Sequence, residues 1–556
     1  MHKCLRVDEL LREICQTVLH SHPDNQQTLN TGDLARLARV CRQFQDPALD
    51  TLWWAQDTIG PLFLCAPEDM RHVDCKNIVK LSRTSRPSDW ERVKVYGRRI
   101  RCIGNPQFPV GSFPFRQARP MLPDAAILDA MLVHCAIEDV FPNLLAFDFM
   151  SAVGYRCVNS NFHSLKHFLT PMLRQLSFSI VRVSLEFVQY IIDSLQTRCP
   201  DLELLSISPG YRSPPASLRI PDGTLRTLRS LSLPLQDVHL SPETLAKLAA
   251  SPRIRKLSCT LEDTFDAQAF ARTRGTGASC MHSTPQARFS GLEHLSIRAS
   301  RPDQWTDFLR ALHMPNLEGL QVQFTAAHTP SAIDLASIRA ACPNPASLRA
   351  LSIVRVISVM DDGLPTVSPA AFAPLFAFHN LKNVHIANVG NLDMTDAFVA
   401  DVAAAWPLLE ELAFVLSVPG APRLTLRALV PLARHCRNLK RLYMPFDGTV
   451  VTHEDRLLSA GHHNDDAIPN LEVHLDDDDS EAEDADAGPQ YVLRELNVGS
   501  TPISSPVDVA MFIFGLFPWA SIRVIPQTEQ MDKSWKRAIT HFKVMQGKDA
   551  PDTPLY

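Results

Sequence analysis

The sequence predicts an α/β solenoid, with parallel strands on a concave side, helices on a convex side and a small all-α module ahead of them. The first observation is a skeleton of three apolar residues, with two free positions after the first and one after the second. It stands at Leu202/Leu205/Ile207 and recurs at Leu144/Phe147/Phe149, Leu173/Leu176/Phe178, Leu228/Leu231/Leu233, Ile254/Leu257/Cys259 and Leu292/Leu295/Ile297. It continues at Leu317/Leu320/Val322, Leu348/Leu351/Ile353, Leu381/Val384/Ile386, Leu409/Leu412/Phe414, Leu439/Leu442/Met444 and Leu493/Leu496/Val498. The second observation is the spacing of these twelve copies, mostly 25 to 33 residues from one leading residue to the next, which is the period of a stacked-repeat array. The third is the helical rhythm between copies, as in Leu185, Val188, Ile192 and Leu195, which marks a helix with one buried face.

One copy would arise by chance in any leucine-rich chain; twelve in near-regular order do not. Skeleton and period together resemble a leucine-rich repeat, which implies one short strand and one helix per turn. The competing expectation is an ordinary α/β domain whose strands happen to be rich in leucine. At 556 residues the chain exceeds one ordinary core, so it holds several domains or one extended array. With 45% hydrophobic and 21% charged residues its composition is that of a folded protein. A net charge of −5 and a pI of about 6.5 offer no overall basic field for phosphates, so no nucleic-acid partner is expected.

Thirteen cysteines stand singly with no Cys-x-x-Cys pair, the pattern of reduced thiols rather than of a disulfide framework or zinc ribbon. Cys199, Cys342 and Cys436 precede strand skeletons and are expected to be small buried apolar side chains. No apolar run reaches the ~20 residues that span a bilayer. Asp8 and Glu9 occupy the place where a secretory signal carries its apolar core. The expected setting is the cytoplasm or nucleus, away from membranes.

Residues 1–60 lack the skeleton. Val7, Leu10, Leu11, Ile14 and, one turn on, Val18 fall on one helical face, and the polar stretch Ser21–Gln27 ends that helix. A second helix is expected from Thr31-Gly-Asp33, with Leu34, Leu37, Val40, Cys41 and Phe44 on one side. Pro47 is expected to open a third helix ending at Trp53, since proline suits a first turn. A module this small is marginal alone and leans on a partner. Asp33–Phe44 followed by Pro47–Trp53 resembles the second half of an F-box, and Val7–Ile14 is similar to its opening helix. The departures are Arg6-Val7 where that family has Leu-Pro, and a longer loop at Leu19–Gly32. The resemblance implies docking on the Skp-type adaptor of a cullin–RING ubiquitin ligase, through Val7, Leu10, Leu11, Ile14, Leu34, Leu37, Val40, Phe44, Leu52 and Trp53. The alternative is a helical cap on the end of the array.

Four segments follow. Residues 1–60 are the F-box-like module, 61–140 a helical lead-in, 141–525 the array and 526–556 a capping helix and tail. In the lead-in, Ser88-Asp-Trp-Glu91 reads as a capping box opening a helix with Trp90, Val93 and Tyr96. Residues 104–124 read as a loop, and Asp124–Val140 as a second helix. Ser241-Pro242 and Ser368-Pro369 pair an N-cap with a first-turn proline. Arg272–Pro285 interrupts the period; its Gly-x-Gly lacks the lysine of a phosphate loop. At about 450–490 an acidic insert holds Asp476–Asp486, whose like charges oppose folding. It reads as a solvated loop, a lure for a basic partner, or a kinase target at Ser480, which has acids on both sides. His462, His463, Asp465 and Asp466 lie in the same stretch without the rigid surroundings a metal needs. At the C-terminal end, Ser505–Phe517 and Met531–Gln546 read as helices around a last strand, Ser521–Val524. Val498–Ile503, Phe517-Pro-Trp519 and Trp535-Lys536 resemble the tail of F-box/leucine-rich-repeat proteins common in mushroom-forming fungi, so the resemblance spans the chain.

Side chains alternate along a strand, so the free positions of each skeleton face the concave side. Serine stands between the second and third apolar residue in six copies, where a small side chain lets a parallel sheet curve. The expected target-binding residues are His294, Gln321, His385, Glu411, Arg441, Tyr443 and Asn497; tyrosine and arginine are enriched among binding hot spots. There is no Gly-x-Ser-x-Gly, His-Glu-x-x-His or Walker loop, so no enzyme activity, cofactor or metal is expected. The expected function is substrate recognition in an SCF-type ubiquitin ligase, with an unidentified protein target and the chain as a monomer within the complex. The alternatives are a leucine-rich-repeat scaffold outside any ligase and, more remotely, an enzyme with a degenerate site.

Overall fold

The computed structural model describes residues 7–20, 30–104, 120–154, 162–180, 184–208, 216–233, 238–261, 270, 287–325, 334–356, 366–392, 394–415, 424–452, 489–526 and 528–547. Arg272–Pro285, the acidic stretch with Ser480, and the His462/His463 cluster lie outside these residues. The chain divides into two compact units, 1–260 and 261–556.

The first unit opens with three helices, α1 (Asp8–His20), α2 (Thr31–Leu37) and α3 (Arg42–Trp53). They close on a core of Leu11, Cys15, Leu19, Leu34, Ala38 and Ala48, with Val18, Leu37, Phe44, Leu49 and Leu52 packed against it. Two boundaries differ from expectation. α2 ends at Leu37, so Phe44 reaches the core from the first turn of α3, and Pro47 lies inside α3 instead of opening it. Asn30 caps α2: its Oδ1 accepts the Asp33 N–H at 3.1 Å and its amide donates to the Asp33 carboxylate at 2.8 Å. Proline costs α3 one backbone donor, but the helix is braced from outside. The Arg99 guanidinium donates to Asp46 at 2.6 Å and also to Asp50, and the Trp53 ring lies 5.2 Å from that of Tyr96.

Directly after α3 the chain enters a parallel sheet in the order Ala55–Gln56, Cys102–Ile103, Ala146–Asp148, Gln175–Ser179, Leu204–Ser208, Ser230–Leu233, Lys256–Thr260. The middle apolar residues line up across it: Ile103, Phe147, Leu176, Leu205, Leu231, Leu257. The array therefore begins near residue 55, not 141. The lead-in is not purely helical: it supplies Cys102–Ile103 to this sheet, and Arg71–Val73, Ile78–Leu81 and Leu122–Pro123 form a small sheet of their own. Its first repeat escaped the skeleton because Ile100 and Ile103, though buried, lack a third apolar member.

Three local expectations also change. The turn at Pro87–Trp90 is capped by Asp89 rather than Ser88: Asp89 accepts the Arg86 N–H at 2.8 Å and is chelated by Arg83. Residues 124–140 form two helices, Ala125–His134 and Ile137–Val140, because Cys135 is extended. Phe149 begins a short helix, Phe149–Val153, whose first turn is capped by the Asp148 carboxylate.

In the second unit the parallel order is His294–Ala299, Gly319–Phe324, Ala350–Arg355, Asn383–Ala387, Glu411–Val415, Arg441–Tyr443, Glu495–Asn497, Ser521–Arg523. Leu295, Leu320, Leu351, Val384, Leu412, Leu442, Leu496 and Ile522 share one row. Every residue of the twelve skeletons is at most 2% exposed. The expected strand at Ser521–Val524 is present, and Glu529–Met545 closes the unit by packing Trp535, Ala538 and Phe542 inward. The Trp535 indole N–H donates to the Thr501 carbonyl at 2.7 Å.

Helices alternate with strands in both units. Ser184, Ser241, Thr395 and Thr528 accept backbone N–H groups at 3.2 to 3.3 Å in the first turns that follow them, satisfying donors that a helix start leaves open. Ser368 caps a 3₁₀ helix, Pro369–Ala377, where a second proline at 374 interrupts the α pattern. Asparagine has a place in the turns, one residue ahead of the leading leucine. Asn143, Asn316 and Asn380 donate to the carbonyls of Arg98, Ser290 and Ala346 in the preceding repeat at 2.8 to 2.9 Å.

Cys199, Cys342 and Cys436 are buried as expected, and burial pushes each thiol up to about 12. The Cys436 thiol points at the carbonyls of Ala403 and Trp406. Gln490, at the start of the segment 489–526, donates to the carbonyls of Cys436 and Leu439 and accepts the Leu493 N–H. Among the described residues no helix is long and apolar enough to cross a membrane.

Leu351 sits mid-row and 1% exposed. Leu351→Ala is expected to lower stability by about 3 kcal/mol through lost burial and a residual cavity. Asn380→Ala should cost about 1 kcal/mol, the value of one turn hydrogen bond. Chemical denaturation of the full chain checks both, and equal losses would contradict this ranking.

Candidate functional site

Because the skeleton residues are consumed by the core, the side chains between them are what each sheet presents to solvent. In the second unit they form two rows in register. One runs His294, Gly319, Ala350, Asn383, Glu411, Arg441, Glu495, Ser521; the other Ser296, Gln321, Ser352, His385, Ala413, Tyr443, Asn497, Arg523. Neighbours along a row are about 4.8 Å apart, so each row is a graded strip rather than a pocket.

All seven residues expected to hold a target fall on these two rows. His294, Gln321, His385 and Arg441 are exposed; Glu411, Tyr443 and Asn497 are half-buried. Gly319 explains how His294 lies flat: a Cβ there would come within 2.6 Å of the imidazole Nδ1. The small residues Ala350 and Ala413 leave the Asn383/His385 step open on both sides. Arg441 forms an ion pair with Glu411, and Arg523 pairs with Glu495 at 3.1 Å, so the charges on this face largely cancel. Asn497 is engaged within its own strand end. Its Oδ1 accepts the N–H of Gly499 at 3.0 Å, holding that glycine at φ +58° beside the Tyr443 hydroxyl. Although the His385 ring reaches solvent, partial desolvation where it lies against the sheet lowers its pKa, and burial raises that of Tyr443, so both are neutral near pH 7. Neutral hydrogen-bonding groups over a small-residue floor suit an extended polar segment of another chain better than a reaction. Among the described residues no group of His, Cys, Asp or Glu is arranged to hold a metal.

In-register short strands, helices in most of the described connections and a fully buried apolar triplet in each copy decide the fold. Each unit is a leucine-rich-repeat solenoid. No protein-family model matches the chain, and no curated protein matches it. Among solved structures the chain is similar to a leucine-rich-repeat protein of Leptospira interrogans, with 13% identity, 73% of this chain and 90% of that chain covered and a TM-score of 0.30. It is also similar to the TLR13–ssRNA13 complex, with 13% identity, 71% of this chain covered and a TM-score of 0.25. The match spans 57% of that second chain. The leucine-rich-repeat assignment rests on the strand register, not on these distant likenesses.

The helical module separates the residues expected to meet an adaptor into two groups. Leu11 and Leu34 are fully buried, and Leu37, Phe44 and Leu52 pack against the same core. Leu11 and Leu34 are taken up by the module's own core, and Leu37, Phe44 and Leu52 are half-buried at its edge, because three short helices need most of their apolar side chains for themselves. Trp53 is half-buried against Tyr96, and Ile14 is half-buried on α1. Val7, Leu10 and Val40 remain, 42%, 40% and 68% exposed.

Sequence reasoning missed Arg523 and Glu495 as a pair, because the skeleton was followed only to Leu493. Ile522, which aligns with Leu496, is the residue that would have extended it.

The His385 ring is expected to titrate below the ordinary 6.5 or so, as an NMR titration of the ring would read directly. Its folded pKa is depressed, so on acidification from pH 7 the unfolded chain takes up the proton first and stability falls. His385→Gln should flatten that fall in thermal midpoint between pH 7 and 5; an unchanged slope would contradict the assignment.

Proposed function

We propose that this protein is the substrate-recognition subunit of an SCF-type cullin–RING ubiquitin ligase, acting in the cytoplasm or nucleus. The N-terminal helices dock a Skp-type adaptor, and the open face of the leucine-rich repeats holds a protein target. The observation that carries the reading is the exposed apolar set on a self-contained module. Val7, Leu10 and Val40 stay in water although the module's own core is filled by other residues. Exposed apolar side chains on so small a body are what a partner would cover. In this reading ubiquitin transfer belongs to other subunits, and the chain contributes position alone.

The rigid brace beside the module supports the same division of labour. Arg99 with Asp46 and Asp50, and Trp53 with Tyr96, fix α3 on the first repeats, so a docked adaptor would be held at a set distance from this part of the array. A scaffold outside any ligase has the same open face but no use for Val7, Leu10 and Val40.

Leu10→Asp combined with Val40→Asp is expected to weaken binding of purified Skp-type adaptor at least tenfold, measured by calorimetry, with the far-ultraviolet circular dichroism unchanged. Leu11→Asp should unfold the module, because it buries a charge in its core. Undiminished adaptor binding by a chain lacking residues 1–54 would end the ligase reading in favour of the scaffold.

A further inference from the structure

The strand Ser521–Arg523 ends the sheet of the second unit, with Glu495–Asn497 on one side and, among the described residues, no strand on the other. Its bonds to that neighbour run through alternate residues. The Ser521 N–H donates to the Arg494 carbonyl at 2.8 Å, the Val498 N–H to the Arg523 carbonyl at 3.0 Å and the Ile525 N–H to the Gly499 carbonyl at 2.8 Å. The backbone groups of Ile522 and Val524 therefore point away from the sheet, and among the described residues nothing pairs with them. At the strand start the Ala520 carbonyl is already taken by the Gln546 amide at 3.1 Å.

Burial follows the same pattern. Every residue of the twelve skeletons is at most 2% exposed, whereas Ile522 and Val524, in the equivalent middle and third places, are only half-buried because no strand follows. Trp519 and Ile525, at the two ends of this stretch, are 52% and 55% exposed. Phe517-Pro-Trp519 stands where Phe141-Pro-Asn143 and Met314-Pro-Asn316 stand in earlier repeats, so an apolar ring replaces the amide that ties those turns inward. The terminal helix Glu529–Met545 packs on Pro506–Leu516 in the helix layer. It leaves an apolar strand edge in water, a template for another chain.

We propose that this edge is a homodimer interface, in which the last strands of two copies pair antiparallel about a two-fold axis through Ile522. A two-fold interface must be self-complementary, and residues 519–525 meet that demand. With the axis at Ile522, the two Ile522 residues exchange both backbone bonds. Trp519 then faces Ile525 of the second copy, Ala520 faces Val524 and Ser521 faces Arg523. Charge selects this register. An axis one residue further on would set Arg523 directly against Arg523, which is unfavourable. At Ile522 each Arg523, paired with its own Glu495 at 3.1 Å, faces a neutral serine that has Glu495 of the second copy one strand behind it. An unrelated partner strand would use the same open backbone groups, but it gives no reason for large apolar side chains at equal distances on both sides of Ile522. A dimer departs from the monomer expected from the sequence. It is independent of the ligase reading, since it involves neither the helical module nor what the open face holds.

Sedimentation equilibrium of the full chain tests it. So small a contact is expected to be weak, with a dimer Kd of about 10 to 100 µM. Trp519→Asp with Ile525→Asp should raise that Kd at least tenfold, whereas Val356→Asp, at a 46% exposed residue on a strand remote from the edge, should leave it unchanged. Ser521 and Arg523 of opposite copies would have Cα atoms about 4.5 Å apart, within disulfide reach. Chains carrying Ser521→Cys mixed with chains carrying Arg523→Cys should therefore cross-link under mild oxidation more than either alone, which decides the matter if the aspartate variant fails to fold. The dimer is overturned if the parent chain stays monomeric tenfold above that concentration range, if the aspartates at 519 and 525 leave association unchanged or Val356→Asp weakens it as much, or if Arg523→Cys alone cross-links better than the mixture.

Discussion

The lateral register of short parallel strands is the constraint on which the remaining features depend. Once Leu205 lies beside Leu231, and Leu320 beside Leu351, every free position of every copy falls into a row with its counterparts. A slip of one residue would exchange core and surface along a whole strand, and burying a serine or arginine in place of leucine would cost several kcal/mol per repeat. The apolar triplet thus sets the stacking energy and, through the same register, the composition of the solvent-facing rows.

That dependence explains why the open face in the second unit can be plain and still be organised. Gly319, Ala350 and Ala413 contribute little to stability, but they determine where His294 and His385 stand. Asn497 shows the cost of the arrangement: its side-chain carbonyl is committed to the N–H of Gly499. Asn143, Asn316 and Asn380 act one layer back, tying each turn to the repeat before it and fixing the angle at which the next strand starts.

Much of this was legible in the chain, because a triplet repeated twelve times is a signal that single-residue noise does not erase. All 36 of its residues are buried, and the seven residues expected on the open face lie there. Legibility failed where a decision rests on one or two atoms. The strand at Cys102–Ile103 has only two of the three apolar residues. The end of α2 is set by a turn at Ala38–Val40, and α3 runs through Pro47 because contacts from Arg99 and Tyr96 support it from a distant stretch of sequence. In the module, helical periodicity gave Leu10 and Leu11 equal standing; only the packing of α1 on α2 and α3 decides that Leu11 turns inward and Leu10 outward.

Charge placement at the strand starts follows from the same register. In the second unit Lys382 and Lys440 share Glu410, Arg441 meets Glu411 and Arg523 meets Glu495. Exposed pairs of this kind add little net stability, yet like charges on adjacent strands are destabilising, so alternation of sign discriminates against misaligned stacking. Alternation is incomplete, since Glu293 adjoins Glu318, Arg349 adjoins Lys382 and Lys440 adjoins Arg494 in the same lateral row. Charge at strand starts therefore follows a register that the buried triplets impose, and it tolerates like neighbours because these side chains remain in water, where repulsion is weak.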